Sequence, residues 1–177
     1  MPIRAVFLDR EGVLTPKLAK GEYLLQPEQA VLAPDVASSL RSLQDCGCVF
    51  FAVSNQSCVR RGLITMEAAT ALHQIVVDKL QEEGVRIVDS LLCPHVDEDD
   101  CACRKPKPGM ILDLCATHGV DPKTSAMIGD SWTDMQAAEA AKCGKRILLA
   151  DAPVDATVAT FPSLATAARW MISSGLV

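Results

Sequence analysis

Apolar positions along the chain follow two rhythms. The segments IRAVFL (3–8), CVFFAVS (48–54), IVDSLLC (87–93), TSAMIG (124–129) and KRILLA (145–150) are short, nearly continuous and often β-branched. That pattern predicts buried strands. Between them, 35–46, 65–83, 108–118, 131–142 and 162–173 repeat their apolar residues at helical spacing. Pro34-Asp35, Thr65 with Glu67 close behind, and Ser131 supply start signals, while Gly84 and Gly119 fit helix C-termini. Near-continuous strands alternating with helices predict an α/β protein with a Rossmann-like open parallel sheet covered on both faces. No repeat, low-complexity tract or Pro/Gly-rich linker divides the 177 residues, a length that suits one domain over 1–177.

Open sheets of this kind bind ligands beyond the carboxyl ends of their strands. Polar residues gather at that edge here. Asp9 ends the first strand, Ser54-Asn55-Gln56 the second and Gly129-Asp130 the fourth, while Arg104-Lys105 follow the third after a loop. A single acid after a strand is more often a turn or cap residue than a catalyst. Four such coincidences at one edge point to a site. Asp9 and Asp130 suit a hard divalent cation such as magnesium, which takes carboxylate oxygens, water and substrate phosphate. An aspartate beside that cation can attack phosphorus, with Lys105 and the Ser54 hydroxyl sharing the charge on the phosphoryl oxygens. Glu11, two residues past Asp9, is the candidate acid–base for the proton transfers.

Composition narrows the classes further. A net charge of −5 argues against non-specific nucleic-acid binding but allows a local basic pocket for an anion. The N-terminal run MPIRAVFLDR is too short for a signal peptide, and no segment approaches ~18 consecutive apolar residues. The expected location is the cytoplasm, with no membrane contact, and nothing in the chain announces an oligomer, so a monomer is expected. Of eight cysteines, Cys46, Cys48, Cys58, Cys115 and Cys143 are scattered through apolar surroundings and read as small buried hydrophobes. Cys93, Cys101 and Cys103 instead fall together around His95. Three thiolates and an imidazole form a closed tetrahedral shell, the arrangement of structural zinc. The intervening VDEDD cannot be buried, which disfavours a chance run of core thiols.

The ordered segments FLDREGVL, VSNQS, CRKPKPG and IGDSWTDMQAA resemble the four motifs of the haloacid dehalogenase superfamily of phosphatases. Within it the chain is similar to the branch of heptose-bisphosphate and histidinol-phosphate phosphatases, over about residues 3–150. The resemblance implies Asp9 as nucleophile and magnesium ligand, Glu11 as acid–base with its backbone carbonyl on the metal, and Asp130 completing the shell. Ser54 and Asn55 would bind the phosphoryl group, Lys105 would neutralise it, and Asp134 would support the site from behind. Arg61 and Arg104 would hold the part of the substrate that does not react, and Cys93, His95, Cys101 and Cys103 would carry structural zinc. The gaps between motifs are too short for an inserted cap domain, so the zinc loop and residues 15–30 are expected to form the rim.

Three positions depart from the branch's pattern: Glu11 where aspartate is usual, Thr15 where asparagine is frequent, and Cys58 where glycine is usual. Cysteine at 58 matters if the backbone there needs a positive φ. The expected activity is hydrolysis of a sugar phosphomonoester, first the 7-phosphate of a heptose 1,7-bisphosphate, with histidinol phosphate or another small ester as alternative. A second class is a sugar-phosphate-binding protein whose turnover is impaired by Glu11. A third, a purely structural zinc protein, leaves Asp9, Lys105 and Asp130 without a purpose.

Overall fold

The computed structural model describes residues 2–177. Its core is a six-stranded, wholly parallel sheet in the order β3-β2-β1-β4-β5-β6. The strands are β1 (Ala5–Leu8), β2 (Val49–Asn55), β3 (Ile87–Cys93), β4 (Ser125–Gly129), β5 (Lys145–Leu149) and β6 (Ala159–Phe161). The helices are α1 (Val36–Asp45), α2 (Met66–Glu82), α3 (Gly109–His118), α4 (Trp132–Ala140) and α5 (Leu164–Ser173). All five strands and five helices read from the hydrophobic pattern are present. β6 is the addition. Its three residues are only half-buried and form no apolar run, so nothing in the pattern marks it.

Side-chain alternation divides the core between the two faces of the sheet. Val6, Leu8, Phe50, Ala52 and Ile128 meet Leu40 and Leu43 of α1, Leu72 and Val76 of α2, and Ala168 and Met171 of α5. Phe7, Phe51, Val53 and Met127 point the other way, onto Met110 and Leu114 of α3 and Met135 and Ala138 of α4. β1 is buried on both faces, which is why AVFL reads as a continuous apolar run rather than an alternating one. Thr65 caps α2, its hydroxyl accepting the Ala68 N–H at 3.2 Å.

The topology fixes where a ligand can sit. Chain order runs outward to β3 on one side of β1 and outward to β6 on the other, so the switch point lies between β1 and β4. Asp9 leaves β1 and Asp130 leaves β4 at that crevice. Among the described residues, no helix is long and apolar enough to cross a membrane.

Candidate active site

The loop after β1 turns around a single carbonyl. Arg10 O accepts the N–H groups of Leu14 and Thr15, both at 2.8 Å, and Gly12 N–H returns to Thr15 O at 2.9 Å. Val13 and Leu14 are buried beneath and anchor the turn. Gly12 has φ +82°, and a Cβ there would collide with the Asp130 carboxylate. Only glycine meets both conditions, the left-handed backbone and the close approach. Asp9 is held twice: its N–H donates to Ile128 O of β4 at 3.1 Å, and its Oδ1 accepts the Arg10 N–H at 2.8 Å.

Lys105 reaches in from the loop after β3 and is 3% exposed. Its ammonium lies 2.9 Å from Asp9 Oδ1 and 2.6 Å from Asp134 Oδ1, and donates to Val53 O at 2.9 Å. Burial works against this cation, but the two carboxylates outweigh it and hold its pKa above the usual lysine range. The same burial pushes the Asp9 carboxyl up to about 7; Lys105 opposes that rise, while Asp134 and Asp130 add to it. Asp134 is fully buried in the first turn of α4, where its Oδ2 accepts the Ser131 N–H at 3.1 Å and hydroxyl at 2.6 Å. It therefore caps a helix and fixes Lys105 with opposite oxygens.

Asp9, Glu11, Ser54, Asn55, Lys105 and Asp130 all line one open pocket. Asn55 is engaged within it. Its side chain donates to Lys105 O at 2.9 Å and accepts the Lys105 N–H at 3.1 Å, clamping the backbone that delivers the lysine. Arg61 and Arg104 do not line this pocket. Arg61 is exposed, and Arg104 donates to Asp97 Oδ1 at 2.7 Å and to His95 O at 3.0 Å. Two more acids of the tip are paired: Arg60 Nε lies 3.0 Å from Asp99 Oδ1, and Lys107 contacts Asp100.

Residues 17–22 form the opposite wall, through Lys17, Leu18, Ala19 and Glu22. Lys17 Nζ lies 2.8 Å from Asp130 Oδ2. The sequence reading placed the rim here without singling out Lys17. It sits in a polar stretch with no period, and only the fold brings it to Asp130. Arg10 was missed as well. Flanked by two acids at a strand end it reads as a solvated charge, yet it is fully buried.

Carboxylate oxygens of Asp9, Asp130 and Asp134 lie within 4.8 Å of one another. Asp134 spends its oxygens on Ser131 and Lys105, so Asp9 and Asp130 are the hard oxygen donors that suit a divalent cation of the magnesium type. Cys93, His95, Cys101 and Cys103 form a second group. Cys103 Sγ lies 3.1 Å from Cys93 Sγ, 3.4 Å from Cys101 Sγ and 3.4 Å from His95 Nδ1. Cys93 Sγ lies 3.7 Å from Cys101 Sγ and 3.6 Å from His95 Nδ1. Zinc–ligand bonds of roughly 2.0–2.3 Å make tetrahedral edges close to these separations. The Arg104 N–H also points at Cys101 Sγ at 3.3 Å, tying the cluster to the residue before Lys105.

An open parallel sheet with an aspartate after β1, a second acid after β4 and a lysine between them defines a HAD-like hydrolase. The HAD-hydrolase-like family model matches residues 102–151. A D-glycero-β-D-manno-heptose-1,7-bisphosphate 7-phosphatase from Rhodopseudomonas palustris is 41% identical over 144 residues, 77% of this chain and 78% of the relative. The Helicobacter pylori enzyme of the same name (strain 26695) is 34% identical over 85% of this chain and 86% of its own. The chain belongs to the D-glycero-D-manno-heptose-1,7-bisphosphate 7-phosphatase family. In three dimensions it is similar to the D,D-heptose 1,7-bisphosphate phosphatase of B. bronchiseptica, solved with magnesium and phosphate. The TM-score is 0.86 at 27% identity, over 97% of this chain and 99% of that one.

Proposed function

We propose that this chain is a phosphatase that removes the 7-phosphate of D-glycero-D-manno-heptose 1,7-bisphosphate through a phosphoryl group carried on Asp9. The observation that carries the reading is the buried Asp9–Lys105 pair facing the same pocket as Ser54 and Asp130. The relatives named for this activity, and the solved neighbour's magnesium and phosphate, support it.

The Asp9 carboxylate attacks phosphorus, the P–O ester bond breaks, and the leaving sugar oxygen takes a proton from Glu11. Glu11, now a carboxylate, draws a proton from water, whose oxygen attacks the phosphoryl group on Asp9. Inorganic phosphate leaves and Asp9 is restored. Ser54 donates its hydroxyl to a phosphoryl oxygen and Lys105 offsets the charge there, the stabilisation such transfers depend on. Asn55 holds the Lys105 backbone and Asp134 its ammonium. Asp9, Asp130 and the Glu11 backbone carbonyl would hold magnesium, which supplies the charge that lets an anion approach a phosphate. Zinc on Cys93, His95, Cys101 and Cys103 would have no open position and so a structural role. Arg61 and Arg104 sit outside the pocket and would reach a substrate only at its far end.

Phosphate release with magnesium, measured on heptose 1,7-bisphosphate and on histidinol phosphate, tests the reading. Turnover of the heptose ester is expected, with Asp9→Asn lowering it at least a thousandfold. Preference for histidinol phosphate would move the substrate, and no release from either would overturn the phosphatase assignment.

A further inference from the structure

Among the described residues Arg10 is the largest side chain that is fully buried, and it bonds Glu11, which lines the pocket. Its Nη2 carries two hydrogens and both are used. One goes to Glu11 Oε1 at 2.6 Å, the other to Gln56 Oε1 at 2.7 Å. A guanidinium only donates, so Gln56 must turn its oxygen toward Arg10 and its NH2 the other way. Gln56 Nε2 then donates to Ser54 Oγ at 2.9 Å. With that oxygen already accepting, the single hydroxyl hydrogen of Ser54 is left to donate into the pocket that Ser54 lines.

The three positions that the sequence reading set apart touch this arginine or its partner Gln56. Glu11 takes one Nη2 hydrogen. Thr15 Oγ1 donates to Arg10 O at 3.3 Å. Cys58 Sγ faces Gln56 Oε1 at 3.7 Å, and its backbone is not among those with positive φ, so cysteine there is unstrained. The extra methylene of glutamate extends the carboxyl by about one carbon–carbon bond, roughly 1.5 Å. That length lets it reach a guanidinium that belongs to its own loop.

We propose that Arg10 is the positioning residue of the site. One of its nitrogens holds Oε1 of the Glu11 carboxyl group, leaving Oε2 to carry the proton, and, by setting the orientation of the Gln56 amide, aims the Ser54 hydroxyl hydrogen at the phosphoryl group. The proposal rests on the phosphatase reading for its consequence, but its geometry can be measured without turnover.

A double-mutant cycle between Gln56→Met and Ser54→Ala tests it. Each single variant is expected to lower kcat roughly 10- to 100-fold, the range for a hydrogen bond to a charged group, with KM little changed. If Gln56 acts through Ser54, the double variant is no more than about threefold worse than the poorer single one. Costs that multiply would overturn the relay. Arg10→Lys keeps the charge but its Nζ stops about one bond, roughly 1.3 Å, short of the Nη2 position, so it cannot reach both partners and its kcat should fall further than that of Gln56→Met. A second arm does not depend on activity or on a folded Arg10 variant. In 15N-labelled protein the Gln56 side-chain amide protons should be protected from exchange and should shift in Ser54→Ala. An unprotected, unmoved pair would sink the proposal. A protected pair in a protein that releases no phosphate from either ester would keep the relay and reject the phosphatase reading.

Discussion

Lys105 is the residue on which the site's stability turns. It is a buried cation between two acids, with a backbone carbonyl as its third partner. Removing one member of such a group leaves like charges facing each other, at a cost of about 3–5 kcal/mol. Lys105→Met should therefore destabilise the metal-free protein by about that amount at pH 8. The loss should be smaller at pH 5, where the raised Asp9 carboxyl is already protonated in the folded state and repels Asp134 less. Urea denaturation at the two pH values checks this, and equal losses would contradict it. Asp9, Ser54, Lys105 and Asp130 were legible because each lies at a strand end or follows a marked loop, where polar type and position agree. Arg10 was not, since its burial is created by residues far along the chain. Asn55 was legible as a site residue, but its contact was not: an amide after a strand fits a phosphate as well as it fits the Lys105 backbone.

The loop between β3 and α3 behaves as a machine part of its own. Four ligand atoms gather at one end of it, and Lys105 leaves the other end only two residues after Cys103. Asn55 grips it from β2. Zinc should accordingly be found by elemental analysis at about one per chain. Stripping it with a chelator, or Cys101→Ser, should lower the thermal midpoint and reduce phosphate release together, because the lysine loses the support of its loop. A stable, fully active zinc-free protein would refute this role. The cysteine spacing made the cluster readable without the fold. The partners of the acidic tip were not readable, because Arg60 lies over thirty residues away from Asp99 in sequence and only the packing of β2 against β3 brings them together.

For the whole molecule, pH dependence is set partly by a histidine that does not line the pocket. His73 on α2 is buried, neither ring nitrogen has a hydrogen-bond partner among the described residues, and burial followed by the Arg10 charge lowers its pKa to about 4. Above the ordinary histidine value of ~6.5 neither state is protonated. As pH falls from there to about 4, the unfolded chain takes up a proton that the folded one refuses, so stability is lost, by about 3 kcal/mol in all. His73→Leu should flatten that part of the curve, as followed by denaturant unfolding; an unchanged slope would exclude it. The architecture as a whole was legible because strand and helix rhythms are long and regular here, whereas the short edge strand β6 depends on β5 for its existence. One last consequence concerns the order of events as the chain is made. β1 sits beside β4, with Ala5 opposite Ser125, so its second neighbour lies some 120 residues downstream. On a ribosome, β1 waits with one edge of unpaired backbone N–H and C=O groups open until β4 has emerged. The loop after β1 is made well before β4 and is completed only once β4 has paired, so a chain stalled before β4 exposes that edge to aggregation.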